Sequence, residues 1–479
     1  TPTSTGFGSA VAVDGGWALI GAEALSNPSA HMFKRSSDGA WVEKQVWRGS
    51  TLQGFGSSVA IDGDFAFIGV DKNDAVGPET GKVQVLKRSG DTWREHQELF
   101  ASNATVLNLF GSGMAVQGDI LAVSGESDVW VFERNPDTDV WSEVSRLGTL
   151  ADLSGGIPTL AMDGNTIVAG NIHDSTQGAD AGAVQVFARQ FNGWRLQQSL
   201  RASDGVANRL FGVALDIRGD RIVAGNSIDS SDGSLYIFEF QSNGNWSEVD
   251  QIDPPDGVTA QVALGDDYLL ATLINGPFGL QTPVDVYHLD PDDGWLRGKR
   301  LKSDLTGDNL DHFGEAMFIG DDITLIGRAD NSVYPVKTTS APGSIEASDG
   351  AYDNRVRIEW IDQSDREDGY RIYRDGQLIA TTGPDADSYN DFDATPGRTH
   401  QYGVATWAGN FESAAQVDYG WMEPDGTIAG NVSTRAGAAV ENVQVCLDPS
   451  PGRSFLFDGD MGRLEALKAH MPATEFTLE

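Results

Sequence analysis

Three clusters of hard oxygen donors are the residues of this chain best suited to chemistry. Asp71, Asn73 and Asp74 form the first, Asn171, Asp174 and Asp180 the second, and Asn226, Asp229 and Asp232 the third. Carboxylate and carboxamide oxygens at short spacing suit calcium, a hard cation that takes several oxygen ligands in flexible geometry. None of the three reproduces the Asp-x-Asp-x-Asp-Gly spacing of a strong site. The polar turns of ordinary loops account for the same residues equally well. A further acidic set, Asp304, Asp308 and Asp311, is open to the same two readings. Asparagines in glycosylation triplets stand at Asn103, Asn245 and Asn431, and they matter only if a eukaryote secretes the chain.

Motifs for catalysis are missing. There is no Gly-x-Ser-x-Gly elbow, no His-Glu-x-x-His helix, no phosphate loop and no dinucleotide fingerprint. Acid pairs occur throughout so acidic a chain and nominate no glycosidase site. The sequence alone therefore predicts that the chain is not an enzyme. With 33 basic against 70 acidic residues the net charge is −37, which argues against nucleic acid as a partner, since phosphate contacts need Lys and Arg. Such acidity suits a salty medium or cation binding, and Asp and Gly filling many turns explain much of it. No apolar run reaches the ~18 residues of a membrane span. The single cysteine, Cys446, has no partner for a disulfide within these residues.

The elements that position these residues follow from a repeat. Trp41, Trp93, Trp141, Trp194, Trp246 and Trp295 are spaced by 52, 48, 53, 52 and 49 residues. A period near fifty with short strands and turn signals points to a β-propeller. In the second unit, Phe55 to Ile61 alternates small and apolar residues as an inner strand does. Asp62-Gly63 turns the chain, and Phe65 to Val70 is apolar throughout, as a strand buried on both faces requires. A polar loop from Asp71 to Gly81 leads to a third strand at Val83–Leu86, and Trp93 opens a fourth. Seven such units recur. Phe-Gly opens five of them, at Phe7, Phe55, Phe110, Phe211 and Phe313, while the fourth has Ser154-Gly155 and the sixth has drifted around Val258 to Val262. The Phe and Gly positions read as packing residues. The seventh unit has no Trp and no fourth strand after Val336.

Stretches such as Phe55-Gly56-Ser57-Ser58-Val59-Ala60-Ile61-Asp62-Gly63-Asp64 resemble the FG-GAP repeat of integrin alpha-chain propellers, and still more the version found in large secreted microbial proteins. The resemblance covers roughly residues 6 to 338. It implies an all-β fold, a seven-bladed propeller over 1–340, with calcium held in the loops between second and third strands. It also implies closure of the ring by an N-terminal strand, for which Thr1 to Thr5 is a short stub. Residues 341–423 resemble a fibronectin type III β-sandwich, on the strength of Val356–Trp360, Gly369–Gly376 and Tyr402–Ala405. Residues 424–451 resemble the start of a carboxypeptidase-regulatory-like β module. Residues 452–479 resemble the truncated start of a laminin-G or concanavalin-like domain, with a short helix over 461–472 as the other reading.

Together these features predict a non-catalytic extracellular protein of adhesive or structural type, an adhesin or surface-filament component at the cell surface. Its propeller would dock an extracellular protein or glycan, and self-assembly stays open. The alternative is a secreted polysaccharide-binding, carbohydrate-active protein whose catalytic or lectin domain lies outside these residues. Exposed aromatics across one face would favour that alternative, and Trp17, Trp47 and Trp130, outside the regular Trp phase, are the ones to inspect for it.

Overall fold

The computed structural model describes residues 6–423 apart from 25, 38, 104, 127, 149–158, 227–232, 255–257, 267, 275–283, 291–293, 302–312, 321–322, 329–331, 337–338, 340, 364–366 and 410. The stub 1–5, Ser154-Gly155, Asp229, Asp232, the set 304–311, Asn431, Cys446 and both C-terminal modules lie outside the described residues. The chain divides into two compact units. Unit 1 is Thr1–Thr338 with Gly409–Glu412, and unit 2 is Thr339–Ala408 with Ser413–Glu479. Among the described residues every regular element is a strand. Among the described residues no helix is long and apolar enough to cross a membrane.

Unit 1 is a series of antiparallel sheets, each built from consecutive strands. The first holds β1 (Phe7–Asp14), β2 (Trp17–Ala22), β3 (Ser29–Arg35) and β4 (Trp41–Arg48). The second holds β5 (Phe55–Asp62), β6 (Phe65–Val70), β7 (Lys82–Ser89) and β8 (Thr92–Leu99), and the third β9 (Gly113–Gln117), β10 (Ile120–Ser124), β11 (Val129–Arg134) and β12 (Trp141–Leu147). The fourth holds β13 (Leu160–Asp163), β14 (Thr166–Asn171), β15 (Ala183–Gln190) and β16 (Gly193–Leu200), and the fifth β17 (Ala214–Arg218), β18 (Arg221–Gly225), β19 (Leu235–Phe240) and β20 (Trp246–Ile252). The sixth holds β21 (Val258–Leu264), β22 (Tyr268–Ile274), β23 (Val284–Asp290) and β24 (Gly294–Leu301). Among the described residues the seventh has three strands, β25 (Phe313–Ile319), β26 (Thr324–Arg328) and β27 (Ser332–Val336).

The first strands touch one another in chain order from β1 through β5, β9, β13, β17 and β21 to β25, and β25 touches β1. Glycine permits this approach. A Cβ on Gly21 of β2 would fall 2.2 Å from the Gly56 carbonyl oxygen, and one on Gly327 of β26 would fall 2.2 Å from that of Gly8. The contact that joins the first sheet to the second thus also joins the seventh to the first. A side chain there would drive the sheets apart.

Four junctions between sheets are each filled by a pair of side chains from fourth strands. Trp141 of the third sheet and Leu99 of the second share one core cluster. Trp194 and Leu147 share the next, then Trp246 and Leu200, then Trp295 and Ile252. Tryptophan and leucine on one strand face opposite neighbours because every third–fourth strand pair carries a bulge between them, as between Val85 and Leu86. One extra residue switches the face that the following side chains present. At the sixth-to-seventh junction Leu301 is present and no tryptophan follows. There Phe411, which belongs to unit 1, packs edge-on to Tyr268 at 5.6 Å and lies 5.7 Å from the His288 ring. Tyr268 opens the second strand of its sheet as Phe65 does, and Trp141 meets Phe65 at 5.7 Å.

Unit 2 packs two sheets face to face. Ile345–Ala347, Val356–Trp360 and Ser388–Asp391 form one, and Gly369–Arg374, Gln377–Thr381, Thr399–Ala408 and Gln416–Trp421 belong to the other. Trp360, Ile358, Tyr370, Ile372, Tyr402 and Val404 fill the space between them.

Candidate functional site

The loops after second strands and the loops after fourth strands lie side by side. Leu107, Leu109 and Phe110 donate backbone N–H groups to Pro78, Glu79 and Thr80, each at 3.1 Å. Asn208, Leu210 and Phe211 repeat the pattern on Ala179, Asp180 and Ala181 at 2.7, 3.0 and 3.0 Å. The Lys72 N–H donates to the Gln53 carbonyl at 3.1 Å, so the loop before β5 joins the same face. The clusters of Asp71 and of Asn171 therefore fall on one face of unit 1, while of the third cluster only Asn226 lies among the described residues.

That face holds strained backbone. Three residues before each opening phenylalanine, Leu52, Leu107 and Asn208 have φ of 65°, 64° and 62°. One residue before it, Gly54 has φ of 65°, while Leu109 and Leu210 take 51° in the same place. A left-handed leucine costs roughly 1–2 kcal/mol, which asparagine and glycine largely avoid. Leu52 and Leu107 are nevertheless 64% and 50% exposed, and Val76, Val106 and Val206 stand exposed on the same loops.

The nominated oxygen donors are mostly engaged. Asn73 accepts from the Ala75 N–H at 3.0 Å and donates to Gln53 at 3.2 Å, and Asp74 accepts from the Glu79 N–H at 2.8 Å. Asp71 is buried, and its Oδ1 has no hydrogen-bond partner. Burial, reinforced by the Glu23 carboxylate, pushes its carboxyl up to about 6. Asp174 accepts Arg201 Nε and a terminal guanidinium nitrogen, both at 3.1 Å. Burial opposes its ionisation, but Arg201 and Thr176 outweigh that and hold its carboxyl below the ordinary value. The guanidinium thus occupies the place where a cation would balance this charge. Asp180 bonds His173 at 2.9 Å, and Asn171 is buried at the end of β14. Asn226 accepts from the Ser234 N–H at 2.7 Å and donates to the Tyr236 hydroxyl at 3.0 Å. Among the nominated glycosylation positions, Asn245 is exposed, whereas Asn103 is half-buried and accepts from Trp130 Nε1 at 2.9 Å.

One carboxylate group escaped the sequence reading. Asp362, Glu367 and Asp385 of unit 2 bring one oxygen each within 4.8 Å of one another. The Asp385 N–H donates to Glu367 Oε1 at 3.2 Å. Their separations in sequence carry no short-spacing signal, and only the fold joins them. Also missed was a carboxamide four residues after several of the tryptophans. Gln45 accepts the Trp93 N–H at 2.6 Å and donates to its carbonyl at 2.8 Å. Gln97 does the same to Trp141, and Gln198 to Trp246. The Trp-x-x-x-Gln spacing could have shown this.

The tryptophans singled out for a polysaccharide face point elsewhere. Trp17 is buried edge-on against Trp93, Trp130 is buried against Phe110, and Trp47 is half-buried against the same core as Trp93.

Residues 194–238 match the FG-GAP repeat family. The chain thus carries an FG-GAP repeat within an all-β fold of blade-like sheets. No curated protein matches the chain. Among solved structures it is similar to a Lactobacillus plantarum protein, at 14% identity and a TM-score of 0.46, over 63% of this chain and 85% of that one. A Bacteroides uniformis protein described as a candidate 6-phosphogluconolactonase is similar at 13% identity and a TM-score of 0.45, over 70% of this chain and 88% of that one. The expectation that the chain is not an enzyme is corrected here. A similar structure is described as an enzyme, and one fold hosts many chemistries, so missing catalytic motifs do not exclude an activity. Similarity at this level assigns none.

Proposed function

We propose that unit 1 is a seven-bladed β-propeller whose loop face docks an extracellular protein, within an adhesion or structural protein at the cell surface, followed by a fibronectin type III spacer in unit 2. The observation that carries this reading is the pair Leu52 and Leu107, apolar side chains held exposed on left-handed backbone at the same phase of two units. Strain of this kind persists where function uses it, and exposed aliphatic groups mark protein contacts. Aliphatic rather than aromatic exposure on this face favours a protein partner over a glycan. Calcium is proposed at the loop of Asp71, whose buried, unpartnered oxygen a hard cation would satisfy.

The test is binding of the intact chain to cells or to immobilised extracellular matrix, with and without chelator. Leu52→Asn and Leu107→Asn together should cut binding about tenfold or more, as loss of two central apolar contacts does. The same pair should leave the melting temperature unchanged or raised, because asparagine tolerates this backbone. Undiminished binding by a folded double variant would reject the loop face as the docking surface.

A further inference from the structure

The loop face assigned to docking is unevenly charged. Leu52, Val76, Val106 and Leu107 stand exposed on three of its segments, 49–54, 71–81 and 100–112. Backbone bonds join these segments, from the Lys72 N–H to Gln53 and from the Leu107 N–H to Pro78. Lys72 is the one basic residue in the three, against Asp71, Asp74 and Glu79. Its Nζ lies 3.1 Å from Glu23 Oε1, so a fourth carboxylate already engages it. The Glu23 hydrogen bond outweighs burial and, with Asp71 and Glu79 nearby, holds Lys72 above the ordinary lysine value. Asp74 is exposed and Glu79 partly so, and among the described residues neither forms an ion pair. Asp74 accepts the Glu79 N–H at 2.8 Å, which keeps both acids on one turn. The same turn of the fourth unit differs. Ser175 stands in the place of Asp74 and accepts the Asp180 N–H at 3.2 Å. There Asp180 has His173 as partner and Asp174 has Arg201. Arg201 follows the leucine that ends its fourth strand, and in the second unit Phe100 holds that position. The fourth unit thus supplies nitrogen donors to its acids, and the second does not.

We propose that the second and third units' part of this face takes a cationic protein segment in which an arginine is set between apolar side chains. The inference rests on the docking role of the loop face and adds the chemistry of the partner. The arginine enters the turn of Asp74 and Glu79, and the apolar groups cover Leu52, Val76, Val106 and Leu107. Two acids on one turn suit a guanidinium, whose planar fork of donors serves two acceptors at once. It brings to the second unit the charge that Arg201 gives to the fourth. Aliphatic contacts around the pair exclude water, which strengthens the attraction. Like-charge repulsion turns away an acidic segment, an anionic lipid surface or an acidic glycan, from these loops and from a chain of net charge −37 alike.

The probe is the same immobilised extracellular matrix, offered to the intact chain in chelator at about 50 mM salt, where screening is weak. Asp74→Asn with Glu79→Gln keeps the acceptor within the turn and removes both charges. Binding should fall about tenfold or more, and the fall should shrink at about 0.5 M salt. Glu95→Gln with Asp137→Asn removes the same charge from exposed positions of β8 and of the β11–β12 turn. That control pair should change binding less than about twofold, since rim charges far from a contact contribute little. Blocking the arginines of the matrix with phenylglyoxal should abolish binding of the wild-type chain, whereas acetylating its lysines should not. Undiminished binding by the folded Asp74–Glu79 variant, an equal fall in the control pair, or binding that survives arginine blocking would overturn the proposal. If Leu52→Asn with Leu107→Asn still weakens binding in that case, the docking face stands and only its cationic partner falls. If neither the leucine pair nor the acid pair weakens binding, or the wild-type chain does not bind, both are rejected.

Discussion

Asp71 shows how one buried carboxyl can link pH, cation and stability. Its folded form titrates near 6, against 3.8 for the ordinary group. Ionised Asp71 therefore costs stability above pH 6, and the cost fades as pH falls toward 4, where the unfolded chain is protonated too. A shift of about two units corresponds to roughly 3 kcal/mol. Asp216, also raised to about 6 by burial, has the same sign. His288, lowered by burial to about 4, has the opposite sign: the stability it contributes above pH 6.5 is lost as pH falls toward 4. The difference between wild type and Asp71→Asn isolates the first effect. In chelator the variant should be more stable at pH 8 by about 1–3 kcal/mol in urea melts, and equal to wild type by pH 4. A pH-independent difference would rule out the buried carboxylate as its source. Calcium, if bound at Asp71, should reverse the order at pH 8.

At the scale of elements, the strands are joined by two repeated devices. The first is close approach of glycine. A Cβ at Gly69 would fall 2.2 Å from the Gly111 carbonyl oxygen, whereas one at Gly63, in the β5–β6 turn, would meet nothing within 4 Å. Gly69→Ala should therefore lose about 3 kcal/mol or more, because the obstacle is backbone of the next sheet. Gly63→Ala should lose only about 1–2 kcal/mol, the cost of its φ of 57°. Chemical denaturation distinguishes them, and similar losses would mean that the glycine contact does not set the sheet spacing. The second device is the glutamine clamp. Gln97→Ala leaves a buried N–H and C=O of Trp141 without partners and should cost about 2 kcal/mol. Gln97→Glu, which keeps the acceptor and removes the donor, should fall between. Turn acids add a weaker chain of links, as where the Gly63 N–H donates to Asp14 at 2.7 Å and the Gly219 N–H to Asp163 at 2.5 Å. These contacts give part of the chain's acidity a structural use.

At the scale of the whole molecule, the informative feature is the irregular seventh sheet. Its missing tryptophan would have filled the junction with the sixth sheet, and Phe411 stands there instead, buried among Tyr268, Leu270 and Val286. Phe411→Ala should destabilise unit 1 by about 3–5 kcal/mol in calorimetry, as truncation of a buried phenylalanine does. A loss below 1 kcal/mol would show that the junction does not depend on that ring.

Much of this was legible in the chain itself. The tryptophan period, the apolar second strands and the turn pairs determine four-stranded sheets and their order, because alternation and turn chemistry act between neighbours in sequence. They also predict that the seventh unit lacks a fourth strand after Val336, and among the described residues none pairs with β27 beyond β26. The loops that carry Asp71, Asn171 and Asn226 follow from the same phase. Only tertiary structure decided what those residues touch: that Arg201 balances Asp174, that Asp71 keeps an unpartnered oxygen, and that leucines stand exposed on left-handed backbone. Only tertiary structure brought Asp362, Glu367 and Asp385 together, and placed Phe411 where a tryptophan was due. The division has one physical cause. Periodicity records which face of a strand is buried, whereas contacts between sheets join residues about fifty or more positions apart, and no local spacing encodes them.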